Sequence, residues 1–351
     1  MTARRVLVAL HALLLLVLAT PAPAQGTATA TPEKLVVSKA LHAAPTELFD
    51  VERVVDGDTI HVQRGGKLVK LRLLAVDTEE KFNGNPDAQS GSKPSTVFGE
   101  ECALWAQSFF ADLAKPGEKP KVALFFPDGK EQIDNYGRLL CHLVLADGTD
   151  YNLMLVELGK SPYFNKYGNS SFRHDAFVAA QAAARERKLG IWDPKTNQPS
   201  TPGAPSAKRP YEKLLPWWDA RAAAVDAYRA ARAADAKHVF DADDPALLAE
   251  ALETSKELDV RVFGCLERTF DEENGTLTLL FKTQDRNRAL RVRIGKEARA
   301  KFAALALEKR GEDYAQNYFF VSGRVVGGSR GFEVHVSDPA KLVPAGPEPA
   351  R

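Results

Sequence analysis

Between Glu47 and Leu145 the chain falls into five short strand-like runs, each bounded by turn-forming residues, and this pattern constrains the fold most. The first run carries Phe49, Val51, Arg53 and Val55 in alternation and stops at Asp56-Gly57-Asp58. Thr59–Gln63 and Leu68–Val76 follow, joined through Arg64-Gly65-Gly66, then Lys121–Phe126 and Leu139–Leu145, which closes at Asp147-Gly148. Helical spacing covers Phe98–Leu113, with Leu104, Phe109, Phe110 and Leu113 as candidate core residues, then Leu153–Leu158 and Phe172–Lys188. Five strands with helices between and after them predict an α+β unit built on an OB-type five-stranded β-barrel. A doubly wound sheet would instead alternate strand and helix throughout.

The same reading divides the rest of the chain. Residues 47–193 form the barrel domain, 194–211 a Pro/Ser/Thr/Gly-rich linker, and 212–256 a helical segment anchored by Trp217, Trp218, Val225 and Tyr228. A second, smaller OB-like β domain is expected over 257–345. It carries the hairpin signal Asn274-Gly275, a half-buried strand in which Leu290, Val292 and Ile294 alternate with Arg291 and Arg293, a helix over 296–308 and two last strands over 319–326 and 332–336. At the N-terminus, Arg4 and Arg5 precede an apolar run too short for a comfortable membrane span, which ends in Ala22-x-Ala24. Residues 1–24 read as a signal peptide and 25–46 as a flexible tether. Export to the periplasm or outside the cell is expected, with no stable membrane insertion after cleavage.

Composition removes several function classes. With 47 basic against 46 acidic residues there is no overall bias towards polyanions, so any case for nucleic acid must rest on local chemistry. No C-x-x-C pair or H-x-x-x-H spacing supports zinc. Of Cys102, Cys141 and Cys265, the first two are the one plausible intradomain pair, with burial as free thiols equally compatible.

Hydrolysis of a phosphodiester needs a hard cation or equivalent charge on a phosphate oxygen, a carboxylate to take a proton from water, and fixed donors for the charge that builds up on the phosphoryl group. Three clusters supply those residue types: Asp56-Gly57-Asp58-Thr59, the run Arg72 to Glu80 ending Asp77-Thr78-Glu79-Glu80, and Asp134-Asn135-Tyr136-Gly137-Arg138. Strand parity puts Arg72 and Asp77 on opposite faces, so their convergence requires either a bulge or a strand that stops before Asp77.

These clusters, in this order and followed by Gly190-Ile191-Trp192, resemble the staphylococcal nuclease (thermonuclease) family over about residues 47–193. The resemblance implies an enzyme, a calcium-dependent endonuclease of DNA and RNA with little sequence preference that leaves 3′-phosphate ends. It implies Asp58 and Asp77 as calcium ligands, with Thr78 contributing its backbone carbonyl, and Glu80 as general base or water-orienting carboxylate. Arg72 and Arg138 become the phosphoryl-stabilising arginines and Tyr136 a phosphate contact; Asp56 is a neighbouring acid. Tyr163 and Tyr167 fall in the base-stacking region and could either stack on bases or pack on the barrel. Glu79 stands where the family usually has proline, which predicts a looser turn and a second carboxylate beside the cation. Residues 47–193 carry 18 basic and 22 acidic residues, net −4, which favours single-stranded or flexible nucleic acid over long duplexes. A non-catalytic nucleic-acid- or protein-binding module on the same barrel is the alternative.

Overall fold

The computed structural model describes residues 42–82, 93–198, 207–255, 257–312, 314–328 and 331–350. The expected signal peptide, most of the tether and the middle of the linker lie outside the described residues.

The first sheet contains β1 (Phe49–Val54), β2 (Thr59–Arg64), β3 (Lys67–Leu73), β4 (Lys121–Phe125), β5 (Gln132–Ile133) and β6 (Leu139–Val144). Its order is β3-β2-β1-β4-β6-β5, and a parallel pairing of β3 with β6 closes β1, β2, β3, β6 and β4 into a five-stranded barrel. Alternation fills the inside with Val51, Ile60, Val62, Leu71, Leu73, Leu139, Cys141 and Leu143. The two-residue β5 was not expected; it is a short hairpin arm on β6.

Helix α1 (Val97–Leu113) is capped by Thr96, whose hydroxyl accepts from the Gly99 N–H. Of its expected core residues only Phe110 is buried; Leu104 and Leu113 are exposed and Phe109 is partly buried. The packed face runs instead through Phe98, Gly99, Cys102, Ala103, Ala106 and Phe110, because small residues let the helix lie close against the site loops. Helices α2 (Tyr151–Glu157) and α3 (His174–Glu186) cover the barrel, followed by a short turn at Gly190–Trp192. Gly190 has φ +53°, and a Cβ there would lie 2.1 Å from the Gly159 carbonyl, so this crossing requires glycine.

The second sheet holds β7 (Val239–Asp241), β8 (Glu257–Asp271), β9 (Leu277–Phe281), β10 (Leu290–Ile294), β11 (Tyr318–Gly328), β12 (Gly331–His335) and β13 (Leu342–Pro344). Parallel β10–β12 and antiparallel β11–β8 pairings close β8, β9, β10, β12 and β11 into a barrel with the same pairing scheme as the first. The helix expected over 296–308 is instead a pair of 3-10 segments, Arg299–Leu305 and Leu307–Gly311, broken where Ala306 adopts a left-handed φ of 45°. The segment 212–256 contains α4 (Tyr211–Ala234), strand β7 and α5 (Ala246–Thr254), so it is not helical throughout.

Helix α4 is packed on two sides. Trp218 meets Phe164 edge-on at 4.8 Å, while Asp219 accepts from Asn165 Nδ2. Towards the second barrel, Arg221 donates to Asn317 and Tyr318, Trp217 donates to the Ala315 carbonyl, and Tyr228 stacks on Phe263. Burial on both sides explains why its sequence shows no single apolar stripe.

Candidate active site

The parity problem posed by Arg72 and Asp77 is resolved by the end of β3. The strand stops at Leu73, not Val76 as expected, and Ala75 takes a left-handed φ of 61°. The chain therefore turns before Asp77, whose N–H donates to Ser161 Oγ at 2.8 Å. That turn brings Asp77 back beside the strand it has left.

Arg72 bridges the two acids that the sequence singled out. Its Nη2 donates to Asp77 Oδ1 at 2.5 Å, and its Nη1 makes an ion-pair contact with Asp58 Oδ1 at 2.5 Å. Asp58, at the entrance to β2, is fixed by Thr59 Oγ1 on Oδ1 and by the Thr78 N–H and hydroxyl on Oδ2. Asp58, Asp77 and Thr78 are all buried. Glu80 lies half-exposed, with Lys93 Nζ on its Oε1 and also 3.0 Å from Asp77 Oδ1. Lys93 was not singled out in the sequence; an isolated lysine near a polar loop gives no signal there.

Arg138 immediately precedes β6, the strand whose Leu139, Leu140 and Cys141 pair in parallel with Leu71, Arg72 and Leu73 of β3. Asp134 organises its turn, accepting from the Tyr136 and Arg138 N–H groups and from Arg138 Nε and Nη2. Tyr136 is 81% exposed, with the Arg138 guanidinium over its ring at 5.4 Å. Of the two tyrosines left open, Tyr163 is buried, stacked on Phe177, with its hydroxyl bonded to His174 and accepting from Ser170 N–H; it packs. Tyr167 is exposed, its ring edge-on to Phe164 and with Lys166 Nζ over it, both at 5.7 Å.

Glu79 does not loosen the turn. Its buried carboxylate accepts from Thr96 Oγ1 at 2.5 Å, Asn197 Nδ2 at 2.7 Å and the Tyr211 hydroxyl at 3.1 Å. Side-chain tethers thus replace the stiffness a proline would supply. The backbone is held as well: Thr96 N–H donates to the Glu80 carbonyl at 2.9 Å, and a Cβ at position 99 would fall 2.1 Å from that same oxygen.

The electrostatics are those of an acid cluster held by cations. Burial disfavours charge on Asp77, yet Arg209, Lys93 and Arg72 hold its carboxyl well below the ordinary range. Burial, with Asp58 and Glu80 nearby, pushes Asp56 up to about 7. Although burial opposes it, Asp58 and Asp77 keep the Arg72 guanidinium firmly protonated. Among the described residues no three His, Cys, Asp or Glu side chains are grouped to hold a metal ion. What the centre offers is smaller. Asp58 Oδ1 and Asp77 Oδ1 each meet one terminal nitrogen of the Arg72 guanidinium, which bridges them. The two carboxylates are oxygen donors of the type that calcium takes.

Cys102 and Cys141 are free buried thiols, so the possible pair is not a disulfide. In the second barrel Arg293 is paired with Glu272 and Glu333, and Arg288 with Asp285.

Residues 70–194 match the family described as staphylococcal nuclease homologue. Endonuclease YhcR of Bacillus subtilis is 33% identical over 145 residues, 41% of this chain but only 11% of that protein. SPbeta prophage-derived endonuclease YokF of the same organism is 32% identical over 148 residues, 42% of this chain and 45% of its own length. A protein of Escherichia coli named "Uncharacterized endonuclease" is 28% identical over 142 residues, 40% of this chain and 74% of that protein. The family match runs from within β3 to just past the Gly190–Trp192 turn, and the chain spans 11% and 45% of the two Bacillus relatives.

Proposed function

We propose that this protein is an exported, calcium-dependent nuclease that hydrolyses phosphodiester bonds of DNA or RNA with little sequence specificity. The observation carrying this reading is the Arg72 guanidinium clasped between Asp58 and Asp77, beside a solvent-reachable Glu80 and next to β6, the strand that Arg138 leads into. The family match and relatives named endonuclease support the same chemistry.

Each group has a definable task. Asp58 and Asp77, with the Thr78 carbonyl, would hold the cation, which supplies positive charge to a phosphate oxygen. Glu80 is the carboxylate with access to solvent, so it accepts the proton of the attacking water. Arg72 and Arg138 present paired N–H groups to the phosphoryl oxygens as charge accumulates on them. For Arg72 this means exchanging a carboxylate partner for the phosphate; for Arg138, leaving Asp134 in part. Lys93, on Glu80, is a further cation that an incoming phosphate would draw away. Tyr136 and Tyr167 offer exposed rings for sugar or base contacts. Net charge of −4 over residues 47–193 favours single strands and flexible ends.

Export rests on the N-terminal sequence pattern; among the described residues no helix is long and apolar enough to cross a membrane. The function is tested with purified protein on heat-denatured DNA. Cleavage is expected with calcium, to stop on chelation, and to fall at least about 100-fold in Glu80→Gln. Full activity in Glu80→Gln and Arg138→Ala would remove the residue assignments, and DNA binding without turnover would favour the non-catalytic module.

A further inference from the structure

One guanidinium in the acid cluster comes from outside the matched domain. Arg209 lies beyond residue 194 and 132 residues after Asp77, yet its side chain is only 4% exposed. Its Nη1 donates to the Asp77 carbonyl at 3.0 Å, and its Nη2 lies on Asp77 Oδ2. The guanidinium is flanked by the rings of Tyr211 and Trp218, at 5.6 and 5.4 Å. Two residues on, the Tyr211 hydroxyl reaches Glu79, so residues 209 and 211 meet 77 and 79 in matching steps of two.

The consequence for Asp77 is a division of labour between its oxygens. Oδ2 and the main-chain carbonyl belong to Arg209, while Oδ1 faces Arg72 and Lys93 in the centre. An aspartate carboxyl turns easily about its last torsion, which has broad wells. A fork that grips one side-chain oxygen and the carbonyl of the same residue removes that freedom, and only arginine has such a fork. Burying an arginine is unfavourable unless its geometry is satisfied, so an apolar contact would serve better if this were only a joint between modules. We propose that Arg209 is a positioning residue of the nuclease centre, holding Asp77 so that Oδ1 alone faces the reacting groups. The stretch leading into α4 thereby becomes part of a site whose other members all lie before residue 194. The inference rests on the nuclease reading above.

The test compares two variants of the full chain. Arg209→Lys keeps the charge and loses the fork; Tyr211→Phe loosens the same joint without touching Asp77. For each, kcat and KM on heat-denatured DNA, calcium affinity by titration calorimetry and the unfolding midpoint are measured. Arg209→Lys is expected to lower kcat about tenfold or more with KM changed less than about threefold, and to weaken calcium binding about threefold or more. Tyr211→Phe is expected to lower the midpoint while kcat stays within about twofold. A kcat within twofold in Arg209→Lys, or equal losses in both variants, overturns the proposal. Should Arg209→Lys show no cooperative unfolding, the unaltered protein decides. In arginine-labelled protein the Arg209 guanidinium protons are expected to stay protected from exchange on addition of calcium, and loss of that protection overturns the proposal. An inactive wild type would instead sink the nuclease reading itself.

Discussion

Glu79→Ala is the perturbation whose size follows most directly from the structure. The carboxylate is 3% exposed and accepts from three side chains, Thr96, Asn197 and Tyr211, at 2.5, 2.7 and 3.1 Å. Thr96 and Tyr211 are themselves buried, so removing the acceptor strands two donors away from water and weakens a third. A buried donor left unsatisfied costs about 1–3 kcal/mol, which for this set gives a loss of about 3–5 kcal/mol. At about 2–4 °C per kcal/mol for a domain of this size, the midpoint should fall by about 10 °C. Tryptophan fluorescence reads the transition locally, because Trp192 lies 5.4 Å from the Tyr211 ring and Trp218 packs beside Arg209. Activity at 25 °C should fall by less than about tenfold, against about 100-fold or more for Glu80→Gln. A stability change under about 1 kcal/mol would refute the account of Glu79 as a buried tether. So would an activity loss equal to that of Glu80→Gln with stability unchanged, which would make Glu79 a chemical group.

Three further outcomes follow from named contacts. Arg72→Lys keeps a positive charge but cannot straddle Asp58 and Asp77, so kcat should fall about 100-fold; retention of more than a tenth of it would contradict the bridging role. Burial alone would raise the Asp150 carboxyl, but hydrogen bonds from His142 and His42 hold it well below the ordinary range, so it stabilises the fold above about pH 4, and that contribution is lost as pH falls through the folded value. Urea titrations of Asp150→Asn should accordingly show a shallower loss of stability below pH 4 than the parent, and an unchanged slope would refute this. Burial pushes the Cys102 and Cys141 thiols up to about 12, so neither should react with an aromatic disulfide reagent at pH 8 until the protein unfolds; mass spectrometry of the native protein showing a labelled or linked pair would contradict the packing.

The barrel was legible in the sequence because a period-two pattern bounded by Asp-Gly and Gly-Gly turns has few ways to close. The closeness of Asp58, Arg72, Asp77 and Glu80 is legible because two short clusters keep these residues together, whereas Arg138 is bonded to Asp134 of its own turn. Strand ends were less visible. The run to Val76 looks continuous, and only a left-handed backbone at Ala75, a conformation alanine seldom signals, stops it at Leu73. The face of α1 was misjudged for a different reason. Leu104 and Leu113 are the more hydrophobic choices, but the close approach of the 79–80 turn requires glycine at 99, and the buried face continues through Ala103 and Ala106. The segment after Ile294 has helical spacing, yet its backbone reverses at Ala306. Arg209 was not legible at all. It is one arginine in a Pro- and Ser-rich stretch, and its meaning depends on an acid 132 residues earlier. Glu79 was noticed as a departure from the family's proline, but its three partners lie at 96, 197 and 211, and no local pattern reveals them.

The central claim is that the acid–arginine cluster at the end of β3 cleaves phosphodiester bonds with the help of calcium. End-labelled single-stranded DNA incubated with the full chain, with calcium and then with excess chelator, tests it most directly. The account expects fragments ending in 3′-phosphate that disappear on chelation. Intact DNA under calcium, or cleavage that continues unchanged with the chelator present, would contradict it.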